Sequence, residues 1–170
     1  MAADEHGEGA STEHWRGIGL RVGAHRVVVP LAAVSEVRPL PALARVPGAP
    51  PWLLGVGNAN GRLLPVTDLG LYAGLEARAG AAARVVVVER EGHLTGIAVD
   101  EVSGVANYAC DDAGDAGAVE TPDGPALPAR LAGCLGAHAS SPGEPGERRR
   151  ILDLDALMTQ PAFVAPGSAA

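Results

Sequence analysis

No apolar period in this chain lasts long enough for a substantial helix. Apolar residues fall instead into short Val-rich stretches: GIGLRV, HRVVVPL, WLLGV, GRLLPV, RVVVVER and HLTGIAV. Gly or Pro stands within or close beside each. β-Branched Val suits a pleated backbone, and Gly and Asn supply the positive φ of tight reversals. The pattern predicts a β-rich domain of short strands. Aromatics are only 3% of residues, so Val, Leu, Ile and Ala must build the core.

The first two stretches, split by Gly23-Ala24, read as a hairpin, with structure starting at Trp15. Ala32 to Val37 reads as one helical turn or an extended bend. Pro39 to Pro51 carries five prolines and reads as loop, since Pro locks φ and removes a donor. Two further runs flank the turn Gly57-Asn58-Ala59-Asn60-Gly61. Asp68 then stands ahead of LGLYAGL as an N-cap, which predicts a brief helix at 69–74. Ala79 to Ala83 reads as a small-residue linker. RVVVVER and HLTGIAVDEV form a second hairpin around Glu91-Gly92. Residues 109–128 read as an acidic surface loop, LPARLAGCLGAHA as strand, and 140–147 as a turn segment. RRRILDLDALM reads as a closing strand, an Asp and a helical turn. Residues 1–14 and 159–170 read as flexible tails around one domain, 15–158.

The order of elements repeats. Glu36-Val37 ends the first hairpin region and Glu101-Val102 the second. Leu53-Leu54-Gly55-Val56 is echoed by Leu131-Ala132-Gly133-Cys134-Leu135, and Val66-Thr67-Asp68-Leu69 by Ile151-Leu152-Asp153-Leu154. The offsets grow along the chain, as unequal loop insertions in a duplicated unit would make them. Five short strands per unit suit a small closed barrel, which removes sheet edges. Two small β-barrels sharing a core are the expected fold.

Composition excludes several function classes. The formal charge is −7, every one of the 13 basic residues is Arg, and the only basic run is Arg148 to Arg150. Nucleic-acid phosphates need clustered cations, which are missing. No stretch approaches the ~20 apolar residues of a spanning helix, and the acidic N-terminus is the reverse of a signal peptide. The expected location is therefore the cytoplasm. Cys110 and Cys134 read as free thiols, and the five histidines lack ligand spacing, so no metal or cofactor is expected. A carboxylate-dependent hydrolase or small-ligand barrel would draw on Asp68, Asp153 or Glu101. Helix capping explains the two aspartates better. Cys134 and His138 are four residues apart without a catalytic frame, and GVGNANG lacks the Gly-Lys-Ser/Thr ending of a phosphate loop. An all-β domain with many Gly/Pro loops and no assembled site points to a binding module, docking at exposed edges or in the crevice between barrels.

The run VPGAPPWLLGVGNANGRLLPVTDL, from Val46 to Leu69, resembles the signature VPGxPxxxxGVxNxRGxxxPVxDL of CheW-like domains. The similarity extends through RVVVVEREGHLTGIAVDEVSGV to ILDLDAL. WRGIGLRVG and the Trp-Leu-Leu-Gly-Val stretch look most like the PilI branch, which serves type IV pilus (twitching) systems. The resemblance implies two intertwined five-stranded, SH3-like β-barrels in a non-catalytic adaptor. Its implied partners are the regulatory domain of a CheA-type histidine kinase and the cytoplasmic tip of a methyl-accepting chemoreceptor; a flagellar chemotaxis adaptor is the alternative. By position it assigns partner surfaces to Val34, Glu36, Val37, Asn58, Asn60, Arg62, Val102 and Val105. Gly55, Gly61, Pro65 and Asp68 it assigns to turns, a strand end and a cap. Asn60 departs from the family's Arg, which commonly pairs with the acid at Glu36. The resemblance then leaves Glu36 to Arg38 or Arg62.

Overall fold

The computed structural model describes residues 14–76, 83–110, 129–143 and 146–164. Residues 1–13 of the expected tail 1–14, most of the linker at 79–83 and the acidic loop from 111 to 128 lie outside them, and His14 already begins the first strand. Among the described residues ten strands make two five-stranded sheets, joined by one 3-10 turn and four short α-helices. β1 (His14–Val22) and β2 (His25–Pro30) form the first hairpin, followed by a 3-10 turn, Leu31–Ala33. β3 (Glu36–Pro39), β4 (Leu53–Ala59) and β5 (Arg62–Asp68) come next, then α1 (Leu69–Ala73). The second unit has β6 (Arg84–Arg90), β7 (His93–Val99) and β8 (Glu101–Cys110). It ends with α2 (Ala129–Ala132), β9 (Leu135–Ser140), β10 (Arg148–Leu152), α3 (Leu154–Met158) and α4 (Pro161–Val164).

Each sheet takes strands from both sequence units. β1 and β2 close a barrel with β10, β9 and β8, while β3, β4 and β5 join β6 and β7 in the order β3-β6-β7-β5-β4. The exchange preserves a pseudo-twofold pattern. In each sheet the second strand of a hairpin runs parallel to the last strand of the other unit: Ile151 faces Val28, and Val66 faces Gly96. Barrel closure differs between the two. β8 and β9 pair at Ala109–Ser140 and Cys110–Ala139, whereas β4 meets the segment after β3 only at the bridge Ala44–Val56. The proline-rich segment cannot supply a continuous ladder of donors, so the second sheet is strapped rather than closed.

The matching hydrogen bonds correct the alignment of the repeat. Asp68 N donates to Trp52 O and Asp153 N to Cys134 O, both at 2.7 Å. Leu53 therefore matches Leu135, and Leu131 lies in the helical turn ahead of β9, not in a strand. Other boundaries also shift. β8 continues through Cys110, two residues into the expected loop, and Ser140 still belongs to β9. The segment from 159 is not a frayed tail throughout: α4 is formed, and Phe163 is 4% exposed. Phe163 packs edge-on against Tyr72, and Trp52 Nε1 donates to Ala162 O. Burying a phenyl ring outweighs the fraying tendency of a chain end.

The largest apolar cluster fills the space between the sheets, joining Ile18, Leu20 and Val29 to Val86, Ile97 and Leu157. The strapped sheet encloses Leu64, Val66, Val85 and Val87. The closed barrel holds Val28, Tyr108 and Ala139, and Arg149, 3% exposed, reaches the Tyr108 hydroxyl and Glu147.

Candidate protein-docking surfaces

The β4–β5 reversal is tighter than the five-residue turn expected from GNANG. The strands run to Ala59 and from Arg62, leaving Asn60-Gly61 as a two-residue loop with φ of 54° and 82°. Both residues are left-handed, the combination that matches strand twist and favours Asn-Gly. Asn58 Oδ1 accepts from Gly61 N at 2.8 Å. Arg62 donates to Glu89 at 2.9 Å and to Gly92 O at 2.6 Å, tying this tip to the β6–β7 tip. Its hydrogen bond holds the Glu89 carboxyl below the usual range. Beside Arg62, Leu63 is 76% exposed. Alternation along RLLPV turns Leu64 inward and leaves Leu63 outward.

Glu36 pairs with Arg38 at 3.3 Å, so Arg38 takes the place left by the missing Arg, and Arg62 is engaged elsewhere. Val37, 39% exposed, lies between them on β3. Val34 N donates to Leu31 O, ending the 3-10 turn, and Ser35 N bonds to Val87 O to begin β3. Val34 is half-buried against the inter-sheet core, as is Val102 at the start of β8. Farther along β8, Val105 faces Ile18 on β1 and is 49% exposed.

The predicted positions fall in three places. Asn58, Asn60 and Arg62 mark the hairpin end of the strapped sheet. Val34 and Val102 border the seam between sheets, with Val105 outside on the closed barrel. Glu36 and Val37 lie on β3, which pairs with β6, the strand carrying Glu89. No single pocket gathers the whole set.

The residues read as structural have local reasons. A Cβ on Gly55 would lie 2.5 Å from Ala44 O, so glycine permits the strap to reach β4. Pro65 is inside β5 opposite Val56, not at a strand end; the parallel ladder with β7 begins only at Val66. Its missing N–H therefore falls outside that ladder. Asp68 caps α1 by accepting from Leu71 N at 2.9 Å.

The carboxylates of the rival catalytic reading are occupied structurally. Asp153 Oδ1 accepts from Asp155 N and Ala156 N, and Glu101 pairs with Arg21. Asp68 does share a narrow cleft with Asp100, but the cleft has about 10 Å³ of space, room for one water at most. Burial raises the Asp68 carboxyl, with the Asp100 charge adding to the shift. Burial also pushes up the Cys134 thiol, and its Sγ accepts from Gln160 Nε2 at 2.9 Å. A raised pKa disfavours the thiolate a nucleophile requires. Among the described residues no three His, Cys, Asp or Glu side chains are placed to hold a metal ion, and no helix is long and apolar enough to cross a membrane.

Residues 16–161 match the sequence profile of the CheW-like domain. Protein PilI of Pseudomonas aeruginosa is 37% identical over 112 residues, 65% of this chain and 63% of that protein. Chemotaxis protein CheW of Rhizobium meliloti is 33% identical over 52% of this chain and 57% of its own length. Protein FrzA of Myxococcus xanthus is 35% identical over 50% and 54%. In each case the match spans less than two thirds of the relative. The crystal structure of the scaffolding protein TtCheW from Thermoanaerobacter tengcongensis superposes with a TM-score of 0.63 at 20% identity, covering 82% of this chain and 89% of that one.

Proposed function

Because the chain belongs to the CheW-like domain family, we propose that it is a non-catalytic adaptor coupling a CheA-type histidine kinase to a methyl-accepting chemoreceptor. The observation that carries this reading is the match of residues 16–161 to the CheW-like domain, joined to a scaffold in which both sheets exchange strands. An adaptor needs to touch two proteins at once, and strands shared between both sheets hold the surfaces in a fixed relation.

The β3 strand and the β4–β5 tip supply the kinase surface, where Val37 and Leu63 expose apolar area beside the charged pairs Glu36–Arg38 and Arg62–Glu89. Apolar anchors supply affinity, and rim charges set the choice of partner. The seam at Val34 and Val102, with Val105 beside it, receives the helical receptor tip in the cytoplasm, as an apolar helix face in a groove.

Similarity to PilI supports a place in a type IV pilus chemosensory system, and the match to a chemotaxis CheW supports the flagellar alternative. Co-purification from the native cell tests both. Recovery of a histidine kinase with a receptor supports the adaptor, and pilus or flagellar components distinguish the two systems. Recovery of neither kinase nor receptor overturns it.

A further inference from the structure

The closed barrel keeps an arginine where its counterpart keeps a leucine. Ile151 faces Val28 as Val66 faces Gly96, each two residues ahead of its capping aspartate. Arg149 therefore stands in the place of Leu64, which is fully buried in the core of the strapped sheet. Arg149 is buried too, pairs with Glu147 at 3.2 Å and reaches the Tyr108 hydroxyl at 3.4 Å. Burying a cation carries a desolvation cost that leucine avoids, so packing alone does not account for the arginine.

Its guanidinium lies against an irregularity in β8. Ile18, Gly19 and Leu20 face Val105, Gly104 and Val102, so Ser103 is an extra residue in the ladder, a β-bulge. Gly104 has φ of 99°, and a Cβ there would meet nothing within 4 Å, so conformation and not space requires the glycine. A Cβ on Gly19 would collide with the Arg149 guanidinium and lie 3.3 Å from Ser103 Cβ. Guanidinium and bulge thus share the hollow that Gly19 leaves. Val22 faces His25 across its turn as Arg90 faces His93, which puts Val87 in the place of Gly19. In the strapped sheet Val87 and Leu64 fill the matching space.

The bulge sets which side chains reach the seam. Ile18 and Leu20, two apart on β1, both point into the inter-sheet core. Their partners Val105 and Val102 share that face, although residues three apart in a regular strand point to opposite sides. Val102 packs against the core, and the exposed Val105 extends the same face outward. Val105 takes the place that Val37 holds on β3, where Val37 faces Val86, the counterpart of Ile18.

We propose that Arg149 is a positioning residue for partner docking. It holds the Ser103–Gly104 bulge from inside the barrel and so presents Val105 with Val102 on one face, a role that rests on the seam being the receptor surface.

Arg149→Met keeps the length of the side chain and removes the charge, while Glu147 retains its pair with Arg26. Amide and methyl spectra of the labelled full chain should show shifts at Ser103, Gly104 and Val105 and a weakened Ile18–Val105 contact. The thermal midpoint should stay unchanged or rise. The cytoplasmic hairpin of the receptor recovered by co-purification should bind this variant about tenfold more weakly. Val105→Ala should lose a similar factor, and the double variant no more than either alone, because Arg149 acts through Val105. If Arg149→Met fails to fold, Arg149→Lys, which keeps a charge and loses the planar fork, should give the same shifts. Unchanged β8 spectra, or affinity losses that multiply in the double variant, overturn the proposal. A wild-type chain that does not bind the hairpin overturns the receptor surface instead, and the β8 spectra still decide whether Arg149 holds the bulge.

Discussion

Gly17 and Val28 fit together in the closed barrel as Gly96 and Val85 do in the strapped sheet, with the small and large residues exchanged between strands. A Cβ on Gly17 would lie 2.7 Å from Val28 Cγ2, and one on Gly96 would lie 2.9 Å from Val85 Cγ1. The two halves thus solve one packing problem in opposite ways. Overpacking a tight core costs about 1–3 kcal/mol, so Gly17→Ala and Gly96→Ala should each lower stability by that amount in denaturant titrations. Adding Val28→Ala to Gly17→Ala should recover part of the loss, and strict additivity would show that the contact is unimportant.

Val37→Asp places a charge on an exposed strand position and should abolish kinase pull-down with the thermal midpoint unchanged. Val34→Asp buries part of a charge against the inter-sheet core, so it should reduce receptor binding and stability together. Kinase binding unaffected by Val37→Asp would remove β3 from the docking surface.

Asn60→Arg restores the residue usual in the family at an exposed position with φ of 54°. A left-handed non-Gly residue costs roughly 1–2 kcal/mol, less for Asn, so the melting temperature should fall by only a few degrees. Any gain in kinase affinity would show as a faster association rate at low salt.

Asp68 gives a pH prediction. Its carboxyl is raised by burial first and by Asp100 last, with backbone bonds from Leu71 and Gly70 opposing. Between its raised value and about pH 4, the folded state binds more protons than the unfolded one at this residue, so its contribution to stability increases as pH falls. Glu89 and Glu147, both lowered in the folded state, act in the opposite direction. Asp68→Asn keeps a good cap and removes the ionisation. The variant should equal or exceed the wild type at neutral pH and lose the Asp68 gain on acidification, in melting curves across pH 4–7. Identical pH profiles would mean that Asp68 titrates normally.

Phe163→Ala should cost about 3–5 kcal/mol, because the ring is buried against Tyr72 in the main core. Ending the chain after Gln160 should cost at least as much, since it also removes the Ala162 carbonyl that accepts from Trp52. A melting temperature unchanged by either alteration would return the segment to the status of a tail.

Local chemistry was legible where one residue type answers one local demand. Asp68 and Asp153 were readable as caps, Gly23-Ala24 and Glu91-Gly92 as turns, and the Val runs as strands. The repeat was readable too, although Leu131 was placed one element late because LAGCL resembles LLGV in pattern. The choice of Arg38 over Arg62 for Glu36, the burial of Phe163 and the exposure of Leu63 were not readable, since each depends on what another segment brings alongside.

Period-two apolar runs, turn residues and capping acids are satisfied within a few bonds of themselves, so those strands, turns and caps were decided by the sequence alone. Tertiary structure decided which strands joined which sheet. A hairpin's open edge can be covered by a distant strand from its own unit or from the other, and only packing across the shared core selects between them.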